Sequence, residues 1–362
     1  MTIFILVYKL TNGGAERVAS LWAKGFAEAG HNVYLVIGDD KSPITYTVPE
    51  SVKICSIASY KPFSPFRYLD RLHKLRKLVV KENPDVILGI LGRALWAKIV
   101  TFDRKIPIIN TEHNSFERPA SAPMSWSTRF DKFQKNRIYD KVTVLTQADK
   151  EFIGDRLKNV VVLPNPLAFE PTDMSMLESK KKIVLAAGRL NVWHYKGFDN
   201  LIKAWGLIHN KYPDWKLKIL GSGKDKDYEY LKILAKENGV ENSLELLGFI
   251  EDPVPCYQEA SIFVLSSRYE GFGMVLIEAM SQGCACVACD YKGRQSEIIT
   301  NENEGLVCPP DDYQTLAETI QRAILDDDLR LRIQKGAINR SYYYSVENTT
   351  MRWEKIFQDL RK

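Results

Sequence analysis

Thirteen short apolar runs alternate with amphipathic segments along this chain, and the alternation is interrupted once, at Leu163-Pro164-Asn165-Pro166-Leu167-Ala168-Phe169-Glu170-Pro171. A run of four to six apolar residues is too short for a buried helix and suits a strand covered on both faces. The first set of runs is 3–7, 33–37, 52–57, 86–90, 107–111, 142–145 and 160–163; the second is 183–187, 217–220, 244–247, 262–265, 286–289 and 306–307. The segments between them read as helices. In Ala15 to Ala29, for example, Ala15, Val18, Ala19, Trp22 and Phe26 share one face and Gly30 ends the run. Strand and helix in strict alternation give parallel sheets wound with helices, the α/β class. The three prolines of the interruption preclude a helix and make a stiff connector. The expectation is therefore two doubly wound, Rossmann-like domains, residues 1–165 and 166–345, facing a central cleft. A terminal helix follows over 346–362, in which Met351, Trp353, Ile356, Phe357 and Leu360 are available for burial.

Two cores of ordinary size are compatible with 362 residues, 45% of them hydrophobic. No stretch approaches the roughly 18 apolar residues that a membrane span needs. Met1 to Val7 lacks the basic start and cleavage site of a signal peptide, so a cytoplasmic protein is expected. The cysteines at 55, 256, 284, 286, 289 and 308 do not form the framework of a small secreted fold, and reduced thiols are expected. Cys284-Ala285-Cys286-Val287-Ala288-Cys289 is small and apolar throughout, which suits a buried strand better than a metal cluster.

Charge is uneven: residues 1–170 carry 25 Lys and Arg against 17 Asp and Glu, whereas residues 171–362 carry 25 against 28. Part of the basic excess lies on Phe66 to Lys81, where apolar residues at 66, 69, 72 and 79 recur at helical spacing between cations, and a second candidate is Trp126 to Lys141. Such segments either dock on an anionic membrane surface or are ordinary surface helices with a solvated polar side, and the second reading is preferred. No basic run interleaves with aromatics in a nucleic-acid-binding module, so no nucleic acid partner is expected.

Ligands of doubly wound sheets collect at the carboxyl ends of the strands, and the motifs fall there. Glu270-Gly271-Phe272-Gly273-Met274-Val275-Leu276-Ile277-Glu278 follows the run Ile262 to Leu265 and opens a helix that Gly283 can stop. A strand, a glycine turn and a helix in that order present free backbone N–H groups and a positive dipole end, to which phosphate is the natural guest. Gly188-Arg189-Leu190 follows 183–187, with Lys196-Gly197-Phe198 shortly after. Arginine's planar fork and lysine's mobile charge can together hold a diphosphate and stabilise it as it leaves; otherwise they are surface cations paired with acids. In the first half, Gly13-Gly14 is a turn through which backbone can approach phosphate or sugar, or one with structural duty alone. Glu112-His113-Asn114 ends the run 107–111, and His113 can contact a ligand hydroxyl or move a proton; no second ligand is spaced with it for a metal. Gly221-Ser222-Gly223-Lys224-Asp225 fails as a P-loop because Lys218 and Asp225 stand where glycine and a hydroxyl residue are needed. No Gly-x-Gly-x-x-Gly follows the first run, which weighs against a dinucleotide oxidoreductase.

These blocks, with Gly13-Gly14-Ala15-Glu16-Arg17, Asn165-Pro166, Ser266 through Glu278-Ala279-Met280, Glu297-Ile298-Ile299 and Gly305 through Asp311, resemble the retaining glycosyltransferases of glycosyltransferase family 4, which have the GT-B fold. The resemblance spans nearly the whole chain. It implies a hexosyl- or N-acetylhexosaminyl-transferase that takes a nucleotide-sugar donor, with UDP as the nucleotide, and requires no metal or other cofactor. Arg189 and Lys196 would grip the diphosphate. Glu270 and the Gly271, Phe272, Gly273 and Met274 backbone would hold the donor sugar and phosphate, and Glu278 the ribose. Gly13, Gly14 and His113 would reach the sugar from the first domain, and the base would lie near Phe249 and Ile250. The terminal helix would cross back onto the first domain. The implied acceptor is a glycan or polyprenyl-linked glycan in capsule, lipopolysaccharide or similar polysaccharide assembly, with the enzyme cytoplasmic and peripheral on the inner face of the membrane. If a helix spans the eight residues from Glu270 to Glu278, they lie roughly 10–12 Å apart, against about 5–9.5 Å for a glycosidase couple, so no such couple is expected. Two other classes fit the same residues, a nucleotide-sugar epimerase and a sugar-nucleotide-binding protein without catalysis.

Overall fold

The computed structural model describes residues 1–11 and 13–361; Asn12, which precedes the diglycine turn, and the terminal Lys362 lie outside the described residues. The chain divides into two compact units, Met1–Ala168 with Ser345–Lys362, and Phe169–Tyr344. It passes from the first unit to the second after Ala168, at the end of the proline-rich connector, and returns after Tyr344.

The first unit holds β1 (Thr2–Val7), β2 (Asn32–Ile37), β3 (Lys53–Ser56), β4 (Val86–Ile90), β5 (Ile108–Thr111), β6 (Lys141–Val144) and β7 (Val160–Val162). Its strands lie in the order β3-β2-β1-β4-β5-β6-β7, and all are parallel. Each run of the first set has become a strand; inner strands such as β1 and β4 are buried on both faces and need apolar residues at successive positions, whereas the edge strand β3 is largely exposed. Between the strands lie α1 (Gly14–Glu28), α2 (Ser64–Glu82), α3 (Ala94–Val100), α4 (Trp126–Phe133) and α5 (Gln147–Ile153).

Several helical expectations change: among the described residues no helix lies between β2 and β3, nor in the second unit between Cys289 and Leu306. The segment Trp126 to Lys141 is not one helix: α4 stops at Phe133, a 3-10 turn covers Lys135–Ile138, and Lys141 opens β6. Asn159 Nδ2 donates to the carbonyls of Asn136 (3.0 Å) and Tyr139 (2.7 Å), and pairing of Lys141 with Ile109 draws the chain into the sheet, so tertiary pairing overrides helical periodicity. In α2 the helix forms as expected, but its apolar stripe is buried only towards its end, at Leu75 and Val79, while Phe66 and Leu69 are 59% and 60% exposed.

The second unit holds β8 (Lys181–Ala187), β9 (Lys216–Leu220), β10 (Leu244–Gly248), β11 (Ala260–Leu265), β12 (Ala285–Cys289) and β13 (Leu306–Cys308), in the order β10-β9-β8-β11-β12-β13 and all parallel. Its helices are α6 (Trp193–Lys196), α7 (Phe198–Ile208), α8 (Asp225–Glu237), α9 (Val254–Glu259), α10 (Met274–Ser281), α11 (Tyr313–Leu325) and α12 (Asp327–Ser341). Trp205 is fully buried in this core and its indole N–H donates to the Ser243 hydroxyl at 3.0 Å, which meets the cost of burying the polar end of the ring. The cysteine run is strand β12, with Cys286 and Cys289 inside it and Cys284 just before it, all buried. Among the described residues, no group of three or more His, Cys, Asp or Glu side chains is arranged to hold a metal ion, and no helix is long and apolar enough to cross a membrane.

The last helix, α13 (Val346–Arg361), belongs to the first unit and packs on α1. Trp353 meets Trp22 edge-on at 5.1 Å between ring centroids and Phe26 at 6.1 Å, and Phe357 meets Phe26 at 5.6 Å. Gly25 permits the close approach, since a Cβ there would lie 2.2 Å from Thr350 Oγ1. Of the three consecutive tyrosines before α13, Tyr344 is buried and meets Phe272 edge-on, whereas Tyr342 and Tyr343 are exposed.

Candidate active site

In the second unit β8 and β11 are neighbours in space, although β9 and β10 separate them in sequence. Strand order reverses there, which is where ligands of such sheets bind. The loop after β8 supplies Gly188 and Arg189, and the loop after β11 supplies Ser266 to Gly273. Gly188 gives room to the lysine of α6: a Cβ on Gly188 would sit 3.1 Å from the aliphatic chain of Lys196. The Lys196 ammonium meets Glu270 Oε1 at 2.5 Å, with side chains only 20% and 14% exposed, and the Ser267 hydroxyl donates to the same oxygen at 2.9 Å. Arg189 is exposed and, among the described residues, makes no ion pair. Lys196, Glu270 and the turn bearing Arg189 are thus brought together, with a fixed carboxylate holding one cation and the other unengaged.

The two loops are locked to each other. Gly197 has φ 65°, and a Cβ there would stand 1.9 Å from the Ser266 carbonyl oxygen, while the Ser266 hydroxyl donates to the Lys196 carbonyl at 2.8 Å. Arg268 forks onto Asp199 with both terminal nitrogens (2.6 and 2.9 Å), donates through Nε to Asp311 and reaches the His194 carbonyl at 2.7 Å. Burial opposes its charge, but the Asp199 and Asp311 carboxylates outweigh burial and raise its pKa. The backbone N–H of Arg268 also donates to the Tyr195 carbonyl at 2.9 Å.

Gly273 precedes α10 with φ 98°, a left-handed conformation that a side chain would strain. No side chain caps α10; the Leu276 amide turns back to the Gly273 carbonyl at 2.9 Å, and the amides of Met274 and Val275 lie ahead of the helix's own hydrogen bonds. Phe272 is buried with its ring turned inward, so residues 271–274 can meet a ligand only through main chain at that position. Glu278 is buried on α10 and one of its oxygens accepts the Tyr257 hydroxyl at 3.2 Å. Lys180 holds the far end of α10, donating to the Gln282 (2.6 Å) and Tyr257 (2.9 Å) carbonyls; burial lowers its pKa. Phe249 and Ile250 follow the edge strand β10, two strands from β8, where Phe249 is largely exposed. They share the carboxyl edge with the Lys196 cluster but stand apart from it.

In the first unit the reversal lies between β1 and β4. Gly13 caps α1 without a side-chain bond, and a Cβ there would strike Glu16 Oε2 at 2.0 Å, so the Glu16 carboxylate already curls over this helix start. Gly14 is the first residue of α1. His113 follows β5, with Nε2 at 3.0 Å from the Thr111 hydroxyl and its ring 5.7 Å from that of Trp22. Because Thr111 Oγ1 donates to the Gly89 carbonyl at 3.2 Å, Nε2 is the protonated nitrogen and Nδ1 the acceptor. Burial lowers the His113 pKa to about 4, against the opposing influence of Glu112 and Asn165. Nδ1 is buried without a hydrogen-bond partner, as is Oδ1 of Asn165. Glu112 is itself fixed by Lys132 (2.9 Å), Asn136 (2.9 Å) and Asn110 (3.3 Å), which makes the strand end that carries His113 rigid.

Sequence reasoning missed Asp199 and Tyr257, and gave no role to Asp311 or Arg268 although both stand inside quoted blocks. The pairing of Arg268 with Asp199 and Asp311 joins distant segments and leaves no local pattern. Asn165 was visible in the connector, but its neighbourhood with His113 is purely tertiary.

The family described as “Glycosyl transferases group 1” matches residues 173–340, and the one described as “Glycosyltransferase Family 4” matches residues 12–170. The chain is 29% identical, over 93% of its length and 94% of the relative's, to the N-acetylgalactosamine-N,N'-diacetylbacillosaminyl-diphospho-undecaprenol 4-alpha-N-acetylgalactosaminyltransferase of Campylobacter jejuni. It is 28% identical, over 98% of its length and 99% of the relative's, to the amylovoran biosynthesis glycosyltransferase AmsD of Erwinia amylovora. Among solved structures, Anabaena Alr3699/HepE in complex with UDP and glucose superposes with a TM-score of 0.78 at 19% identity, over 98% of this chain and 99% of that one, a likeness of fold.

Proposed function

The chain belongs to glycosyltransferase family 4 and has the GT-B fold, and from that premise we propose that it moves a hexosyl or N-acetylhexosaminyl group from a UDP-sugar to a polyprenyl-linked glycan with retention of anomeric configuration. Glycosyl transfer in polysaccharide or lipid-linked glycan assembly is the activity of its relatives. The observation that carries the finer reading is the meeting of Lys196, Glu270 and the Arg189 turn at the β8/β11 reversal, beside the open start of α10.

In this reading the donor diphosphate lies against the α10 amides, Arg189 and Lys196. Its arrival shares the Lys196 ammonium between Glu270 and a phosphate oxygen. As the bond between the anomeric carbon and the β-phosphate oxygen breaks, both cations stabilise the charge that develops on UDP. The acceptor hydroxyl attacks from the face that UDP leaves, and its proton passes to the departing phosphate. In the second unit Glu270 orients the donor sugar, Glu278 accepts the ribose hydroxyls, and Phe249 and Ile250 flank the uracil. In the first unit His113, neutral and aprotic at Nδ1, can accept a ligand hydroxyl, and Gly13 and Gly14 let main chain approach a ligand closely. The reaction needs no metal, so chelation by EDTA leaves turnover unchanged. The enzyme works as a cytoplasmic, peripheral protein, and the exposed Phe63, Phe66 and Leu69 beside the cations of α2 suit an anionic membrane face.

The test is transfer from a panel of UDP-sugars to prenyl-diphosphate-linked glycans. Lys196→Ala lowers kcat by more than tenfold, since a charge-assisted contact to a leaving group is worth about 2–4 kcal/mol. Near-normal turnover in this variant overturns the assignment of Lys196.

A further inference from the structure

The carboxyl edge of the first unit's sheet carries two cations that, among the described residues, no carboxylate contacts directly. Tyr8 directly follows β1, and its ring lies between Arg71 of α2, at 5.3 Å, and Arg93 of the turn after β4, at 5.0 Å. Arg93 also lies 4.9 Å from the Trp96 ring, and Arg71 Nη2 donates to the Tyr8 hydroxyl at 3.4 Å. Among the described residues neither arginine makes an ion pair, and the Nε of each is buried with no acceptor. Burial lowers the pKa of Arg93, the neighbouring Arg71 charge adds to this, and no carboxylate opposes it. Asp39 does feel Arg71, but its oxygens are taken by the Ser42 hydroxyl (2.6 Å) and the Lys41 amide (3.1 Å). Arg76, on the same helix, is by contrast forked onto Asp103 at 2.6 Å through both nitrogens.

Desolvating a guanidinium without a partner costs stability, and the turn that presents Arg93 adds strain, with Leu91, a non-glycine residue, at φ 50° followed by Gly92 at φ 79°. Both lie at the reversal between β1 and β4, where ligands of such sheets bind. Gly38 keeps one wall close: a Cβ there would lie 2.9 Å from Trp96 and 3.0 Å from Tyr8. The neighbouring strand β5 leads to His113 along the same edge. Uncompensated charge and strain at one ligand edge are what an absent dianion would repay, because arginine forks fit phosphate oxygens in pairs.

We propose that Tyr8, Arg71 and Arg93 form the acceptor's anion subsite, which holds the diphosphate ester that joins the glycan to its carrier. This rests on the glycosyltransferase reading and adds to it the residues that hold the acceptor's diphosphate. The diphosphate is bound through both guanidinium groups and the Tyr8 hydroxyl, and the acceptor sugar extends from it towards His113.

The direct test needs no turnover. Farnesyl diphosphate is titrated calorimetrically into the whole protein and into Arg71→Gln and Arg93→Gln. The parent binds, each variant binds at least tenfold more weakly, and Arg93→Lys recovers part of the loss. UDP affinity stays within twofold in all variants, and the melting temperature of Arg93→Gln equals or exceeds that of the parent, since a half-buried charge without an ion pair has been removed. Equal farnesyl diphosphate affinity in parent and variants, or none in the parent, overturns the subsite. So does a uniform loss of affinity for farnesyl diphosphate and the uncharged farnesol, which would assign the site to the prenyl chain. Absence of UDP binding in the parent instead overturns the glycosyltransferase reading while leaving the anion measurement intact.

Discussion

His113 keeps its imidazole neutral through the physiological range, because burial holds its pKa near 4 rather than at the ordinary 6.5. Between those two values the unfolded chain binds the extra proton and the folded chain does not, so stability rises with pH across this window and is lost as pH falls from 6.5 towards 4. The difference amounts to about 3 kcal/mol at most. Urea unfolding at pH 7 and pH 4.5 should show a drop in midpoint that His113→Gln reduces; an identical drop in the variant would contradict the burial argument. The position of His113 at a strand's carboxyl end was legible in the sequence, as were Arg189, Lys196 and Glu270. The ion pair that joins Lys196 to Glu270 was not legible, because it links residues 74 positions apart and depends on β8 and β11 lying side by side. For the same reason nothing in the sequence singled out Arg71 and Arg93, whose meaning lies in partners they lack.

Gly197 and α13 show the two ways in which elements constrain one another. Alanine at 197 would need a left-handed backbone at φ 65° and a Cβ 1.9 Å from the Ser266 carbonyl, a strain of at least ~2 kcal/mol. Gly197→Ala should lower the melting temperature of the second unit and weaken UDP binding together; an unchanged nucleotide affinity would mean that the loops are set independently. Trp353→Ala removes a fully buried indole from the seam between α1 and α13, at a cost of roughly 3–5 kcal/mol. Its effect should fall on the unfolding of the first unit and leave UDP affinity intact. The inner strands were readable because double-sided burial writes a continuous apolar run, although β8 and β11 each begin two residues earlier than their runs; the edge strands β3 and β10 are only partly covered. Helices were less so: the period of α2 was right, yet Phe66 and Leu69 are exposed while Leu75 and Val79 are buried, since neighbours decide which turns of a stripe are covered. Trp126 to Lys141 carried a helical period that the β5/β6/β7 pairing cut short.

At the scale of the molecule the chain crosses between two separately cored units twice, after Ala168 and after Tyr344. The first crossing was legible in its prolines; the allegiance of α13 to the first unit rests on aromatic packing with α1 that no local pattern announces. Donor chemistry resides in the second unit in this account and acceptor selection in the first. Nucleotide present at a hundred times its dissociation constant should therefore stabilise the second unit by about 2.7 kcal/mol, with little direct effect on the first. The central claim is that Arg189 and Lys196 hold a nucleotide sugar's diphosphate at the start of α10, and calorimetric titration with UDP-sugars of the parent and of Arg189→Ala/Lys196→Ala tests it most directly. The account predicts binding by the parent and a loss of at least a hundredfold in the double variant; equal affinity in the two proteins, or no heat from the parent with any nucleotide-diphosphate sugar, would contradict it.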